Sequence, residues 1–143
     1  MIAKTESMLP GIPFDSMLMV DESFYVTKNP RRFDIVVLRR SFHTYPDDPV
    51  AKSMNVVFRV IGLPGETIAL RGGSIYINGR RIKEPFAIKQ CPKIVDDAFP
   101  CRKMSMLKIP AGEYFLLADN RPESLDSRLC LLPRFRNQMC WER

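Results

Sequence analysis

Ser7 stands in "TESMLPGI", residues 5–12, a stretch with neither helical nor strand rhythm. A serine hydroxyl is a weak nucleophile at neutral pH and needs a neighbour that takes its proton. The usual acceptor is histidine, and the chain has one, His43, in the loop-like "SFHTYPDD"; it reads as a surface residue. Lys4 is near in sequence, but an exposed lysine stays protonated and is a poor base. A second polar cluster, "ADNRPESLDSR" (118–128), directly follows an apolar run and offers Asp119, Asp126, Ser124, Ser127, Arg121 and Arg128. Loops of this kind build sites, although a hydrogen-bonded Asx-turn loop accounts for the same residues taken alone. The four cysteines, Cys91, Cys101, Cys130 and Cys140, show no C-x-x-C spacing, and one histidine cannot complete a usual zinc set. No metal and no cofactor are expected.

These side chains must be held by strands. "DIVVLRR" (34–40) is a compact β-branched run, and "NVVFRVIGLPGE" (55–66) is another, ended by the turn dipeptide Pro64-Gly65. Residues 67–83 read as a three-stranded meander. Asn78-Gly79 lies between two alternating segments, and Arg71-Gly72-Gly73-Ser74 gives a second tight turn. "EYFLLAD" (113–119) is a further strand after the turn "PAG". Residues 87–107 show no clean period and read as an irregular excursion; "PRFRNQMCWER" at the end is ambiguous. Cys91 and Cys101 bracket "PKIVDDAFP", a loop that a disulfide closes in an oxidising compartment and that carries free thiols otherwise. Helix signals are nearly absent, so the fold class is mostly β, in one domain over 1–143.

The chain has 143 residues, 12 prolines, 22 Lys and Arg against 16 Asp and Glu, and a formal net charge of +6. That length supports one domain with a real core, and the prolines argue against a helix bundle. The charge reads as a solvated basic surface. No basic-and-aromatic stripe of the single-strand-binding kind is present, so nucleic acid is not expected as a partner. No run of 18 apolar residues exists, and the start lacks the apolar core of a signal peptide; no transmembrane helix is expected in these residues.

Four segments, in order, resemble the type I signal peptidases, serine endopeptidases that remove signal peptides at a membrane surface. "SMLP" (7–10) looks like their nucleophile motif, and "RFDIVVL" (32–38) like their "RGDIVVF" strand. "FRVIGLPGETI" (58–68) is similar to "KRVIGLPGD", and "DNRPESLDSR" (119–128) fits "DNRxxSxDSR" at every specified position. The resemblance implies a signal-peptidase-like antiparallel β domain with an irregular insertion at about 87–107. It implies a Ser/Lys-dyad site with Ser7 as nucleophile, and an oxyanion hole made by the Ser7 backbone N–H and the Thr5 hydroxyl. Ser124 matches the serine that orients the dyad lysine, and Asp119, Asp126 and Arg128 match a structural salt-bridge set. The implied partners are signal-peptide-bearing preproteins, with membrane-surface association on the extracytoplasmic face.

The departures are as specific. The dyad lysine aligns with Phe58, the threonine of "SMxPT" with Gly11, the glycine of "RGD" with Phe33 and that of "GDNR" with Ala118. "LCLLP" replaces the family's aromatic-glycine stretch after "DSR", and the anchor that precedes the serine in the family has no counterpart here. Alternation puts Val56, Phe58 and Val60 on one dry face. A lysine there would lose hydration and its pKa would fall from about 10.4 toward neutrality; a phenylalanine there is core. Arg59 faces the other way, between Val57 and Ile61, and needs an acid, for which Asp119 is the candidate. Lys52 has the parity of position 58 but lies roughly 20 Å away along an extended strand. Two readings follow: an endopeptidase of weak or lost activity, or a non-catalytic relative that binds peptides or serves in assembly. The residues 8–18, with Met8, Leu9, Ile12, Phe14, Met17 and Leu18, read either as an apolar surface beside Ser7 or as core.

Overall fold

The structure, a computed structural model, describes residues 1–42, 52–88, 104–124, 126–129 and 135–136. His43 and all four cysteines lie outside the described residues, as does most of the final stretch.

Among the described residues, eight strands form two four-stranded sheets. They are β1 (Ile35–Phe42), β2 (Lys52–Gly62), β3 (Thr67–Arg71), β4 (Ser74–Ile77), β5 (Arg80–Arg81), β6 (Met104–Lys108), β7 (Glu113–Leu117) and β8 (Phe135–Arg136). One sheet runs β1-β2-β7-β8, the other β5-β4-β3-β6, and every strand pairing is antiparallel. The mostly β, antiparallel expectation is therefore met.

The meander of 67–83 forms by its turn chemistry. Asn78 and Gly79 take φ of 49° and 79°, and Gly72 and Gly73 take 53° and 72°. Both turns need two consecutive positive φ values, which match the right-handed twist of the flanking strands. β6 corrects the reading of 87–107 as irregular throughout. Met104 and Leu107 both pack toward the core against β3, with a register shift between their partners Leu70 and Ile68. The bulge inserts one residue, breaks the period of two, and so hid the strand.

The first sheet is apolar on both faces because both are covered. Val36, Leu38, Phe58, Val60, Leu116 and Ala118 form one cluster with Met8 and Ile12 of the N-terminal segment. Ile61, Phe115 and Leu117 form another with Ile68, Leu70, Ile75 and Ile77 of the second sheet. Adjacent residues Val60 and Ile61 serve opposite clusters, and the pairing of β2 with β7 shifts just beyond, at Gly62. A Cβ on Gly62 would stand 2.3 Å from Ile109 Cδ1 and 3.0 Å from Phe115 Cβ, so the close approach of β2 to the second layer needs glycine.

Candidate active site

The N-terminal segment closes on itself before it meets the sheet. Ile2 bridges Met17, the Ala3 N–H donates to Ser16 O at 2.9 Å, and the Leu18 N–H to Met1 O at 2.7 Å. Lys4 and Asp15 form an exposed ion pair at the neck of the resulting loop. Pro10 and Pro13 deny the loop regular pairing. The Leu9 N–H donates to Glu6 O at 3.1 Å and the Ile12 N–H to Met8 O at 2.9 Å, so local turns shape it instead. Met8 and Ile12 are 3% and 8% exposed and so follow the second of the two readings, core; Ile12 also helps line the groove described below. Leu9 is half-buried, Leu18 packs against the core, and Phe14 and Met17 are exposed.

Ser7 is half-buried on this loop, and its Oγ lies 2.9 Å from Thr5 Oγ1. Among the described residues no amine or imidazole hydrogen-bonds the Ser7 hydroxyl. The Lys4 ammonium is held by Asp15. Phe58, at 6% exposure, belongs to the cluster that contains Met8, the residue after Ser7. Position 58 is thus buried among apolar side chains, in one cluster with Met8. Ser124 is buried, and its hydroxyl makes no hydrogen bond to a described residue.

The 118–128 loop is fixed by charge. Arg59 Nε and Nη2 donate to the two oxygens of the fully buried Asp119 at 2.7 and 2.5 Å, and Nη1 donates to Phe33 O at 2.8 Å. The guanidinium also lies 4.0 Å over the Phe86 ring, which meets Phe33 edge to face. Arg128 donates to both oxygens of Asp126, at 2.7 and 2.8 Å, while Asp126 Oδ2 accepts the Ala118 N–H at 3.2 Å. Gly11 rests against this scaffold: a Cβ there would be 3.2 Å from Asp119 Oδ2.

Three contacts escaped the sequence reading. Arg121 forms a buried ion pair with Glu84 and donates through Nε to Ala118 O at 2.6 Å. Glu84 lies 37 residues away, on no periodic face, and no local signal marks it. Asn120 ties the loop to the Ser7 segment, its N–H donating to Ser7 O at 2.8 Å and its Nδ2 to Glu6 O at 3.1 Å. Tyr25 donates to Asp34 Oδ2 at 2.9 Å; burial first, and then this hydrogen bond, push its phenol up to about 12.

Along the N-terminal segment and β1 runs an open groove of about 1140 Å³, whose walls include Ile12, Leu18, Tyr25 and Val37 together with Asp21, Asp34 and Asn55 but not Ser7. Met17, Met19 and Val26 are exposed nearby in sequence, and the Lys28 ammonium sits 4.5 Å over the Phe24 ring. None of the described residues forms a helix long and apolar enough to cross a membrane.

Comparison with known proteins gives this antiparallel β scaffold its family. Residues 1–136 match the family described as "Signal peptidase, peptidase S26". Signal peptidase I P of Bacillus subtilis subsp. natto is 32% identical over 134 residues, 89% of this chain and 64% of that protein. Signal peptidase I of Leptolyngbya laminosa is 37% identical over 125 residues, 86% of this chain and 56% of that protein. A solved signal peptidase I from Enterococcus faecalis is 33% identical, with 71% of this chain and 86% of that one aligned at a TM-score of 0.49. The chain belongs to the signal peptidase S26 family. It spans 64% and 56% of the length of the first two relatives.

Proposed function

We propose that the chain is a signal-peptidase-I-like serine endopeptidase site that receives signal-peptide-bearing preproteins and, as encoded, turns them over slowly or not at all. Ser7 is the nucleophile, its N–H and the Thr5 hydroxyl are the oxyanion donors, and Ser124 is the serine left behind where an amine would be oriented. The observation that carries the second half is Phe58, buried in the cluster that contains Met8. A hydrocarbon ring accepts no proton, and general-base assistance is worth roughly 10²–10⁴-fold in rate. The same observation supports the second reading, a peptide-binding relative without turnover.

The groove supports the substrate class. Its walls mix apolar side chains such as Ile12, Leu18 and Val37 with polar ones such as Asp21, Asp34 and Asn55, and an extended peptide can lie along such a surface with alternate side chains in contact. Phe14, Met17, Met19 and Val26, exposed beside the groove with Lys28 among them, suit a lipid surface on the extracytoplasmic face. The test is titration of a labelled signal peptide with alanine at −1 and −3 into the unmodified chain and into Val37→Arg. Saturable binding that Val37→Arg removes supports the reading. Equal binding by both chains, or none by either, contradicts it.

A further inference from the structure

We infer that Asn120 is a positioning residue that aims the Ser7 N–H at the place where an oxyanion would form. This deepens the reading of Ser7 and Thr5 as the oxyanion site and rests on it.

The geometry is that of a single peptide plane. The Glu6 carbonyl and the Ser7 N–H belong to the same trans peptide unit and therefore point in opposite directions. Asn120 Nδ2 donates to that Glu6 oxygen at 3.1 Å, from outside the loop, and the Leu9 N–H donates to it from within the loop, also at 3.1 Å. Fixing the oxygen on one side fixes the direction of the hydrogen on the other. The Asn120 backbone N–H holds the next carbonyl, Ser7 O, at 2.8 Å. Two consecutive carbonyls are thus held by one residue, and the Glu6–Ser7 plane cannot rotate without straining the bond from Asn120 Nδ2 to Glu6 O. The Ser7 N–H itself has no acceptor among the described residues, so it is available to an incoming negative oxygen.

Asn120 is itself firmly seated. It is 7% exposed, it follows the fully buried Asp119 that is gripped by Arg59, and it precedes Arg121, whose guanidinium pairs with Glu84. Its side chain therefore transmits the position of the charged scaffold to a loop whose other backbone bonds are internal to it. Asn supplies this because it carries a donor on a short stem; aspartate would present an acceptor to the Glu6 carbonyl and a second buried carboxylate beside Asp119.

The test uses the unmodified chain and Asn120→Ala, which keeps the backbone N–H bond to Ser7 O and deletes only the side-chain donor. The probes are a signal-sequence peptide boronic acid with alanine at the reactive position and the same peptide ending in an amide. In the boronate adduct the Ser7 Oγ–B bond forms, the serine proton leaves to solvent and no carbon bond breaks, so no general base is required. The boron hydroxyl then occupies the oxyanion position. Losing one oxyanion donor outright costs roughly 10²–10³-fold in catalysed rate. Misaiming it should weaken the boronate by at least about tenfold. The amide should bind both chains within about twofold, because ground-state contacts do not use that donor. The Ser7 amide resonance should also shift between the two folded chains, with no ligand present. Equal losses for both probes, or an unmoved Ser7 resonance, overturn the role of Asn120. A boronate that binds the unmodified chain no better than the amide overturns the oxyanion reading itself, and the inference with it.

Discussion

Phe58→Lys puts an amine where the structure has only a ring, and its cost and gain can both be worked. Phe58 is 6% exposed in a cluster of buried aliphatic side chains. Truncating such a phenylalanine costs about 3–5 kcal/mol, of which the lysine stem recovers part. The buried ammonium costs more. If its pKa falls about 3 units from 10.4, holding it at or below neutral pH costs about 4 kcal/mol, at 1.36 kcal/mol per unit. The sign follows from a depressed folded-state pKa. The penalty is absent above the unfolded value, grows as pH falls from there, and is complete below the folded value. At about pH 9 it is near 2 kcal/mol, small enough for a domain of ordinary stability to remain folded. The assay is cleavage of a signal peptide with alanine at −1 and −3, at about pH 9, with circular dichroism and melting recorded on the same samples. The expected gain over the unmodified chain is roughly 10²–10⁴-fold, rising with pH through the lysine pKa. Ser7→Ala in the same background abolishes it. A folded Phe58→Lys with no gain, or a gain that survives Ser7→Ala, refutes the reasoning.

Arg59→Met leaves Asp119 fully buried without its partner and should cost about 3–5 kcal/mol in a denaturant titration. Gly62→Ala forces a Cβ to within 2.3 Å of Ile109 Cδ1 and should lower stability by about 1–3 kcal/mol, read as an earlier melting midpoint. Tyr25 has a folded pKa raised to about 12 from 10.0, so its contribution is present below pH 10 and is lost as pH rises toward 12. Tyr25→Phe should remove that alkaline loss and cost about 1 kcal/mol at neutral pH, measured by melting at a series of pH values.

Local chemistry made the fold legible where it acts within a few residues. Asn78-Gly79 and Gly72-Gly73 dictate their turns because few other residues tolerate two positive φ values, and the β-branched runs fall on β1 and β2. β6 was hidden because its two core residues, Met104 and Leu107, are three apart across a bulge. The site was legible in part. Arg59 lies on a buried face and calls for an acid, and the structure pairs it with Asp119. Glu84 and Asn120 gave no such signal, because each acts on a partner distant in sequence: Glu84 on Arg121, Asn120 on the Glu6 carbonyl. The N-terminal segment left surface and core both open. Met8 and Ile12 lie on an irregular loop with no period to reveal a buried side, yet both fill the cluster around Phe58.

The most direct measurement is the rate at which the unmodified chain releases a signal peptide from a purified preprotein, followed by intact mass beside its Ser7→Ala variant. A serine with oxyanion donors and no proton acceptor should give product barely above that variant, at least about 10²-fold below the rate of Phe58→Lys. Rapid cleavage at the −1 position that Ser7→Ala stops would contradict the account, because a base would then serve Ser7 despite the phenylalanine at position 58.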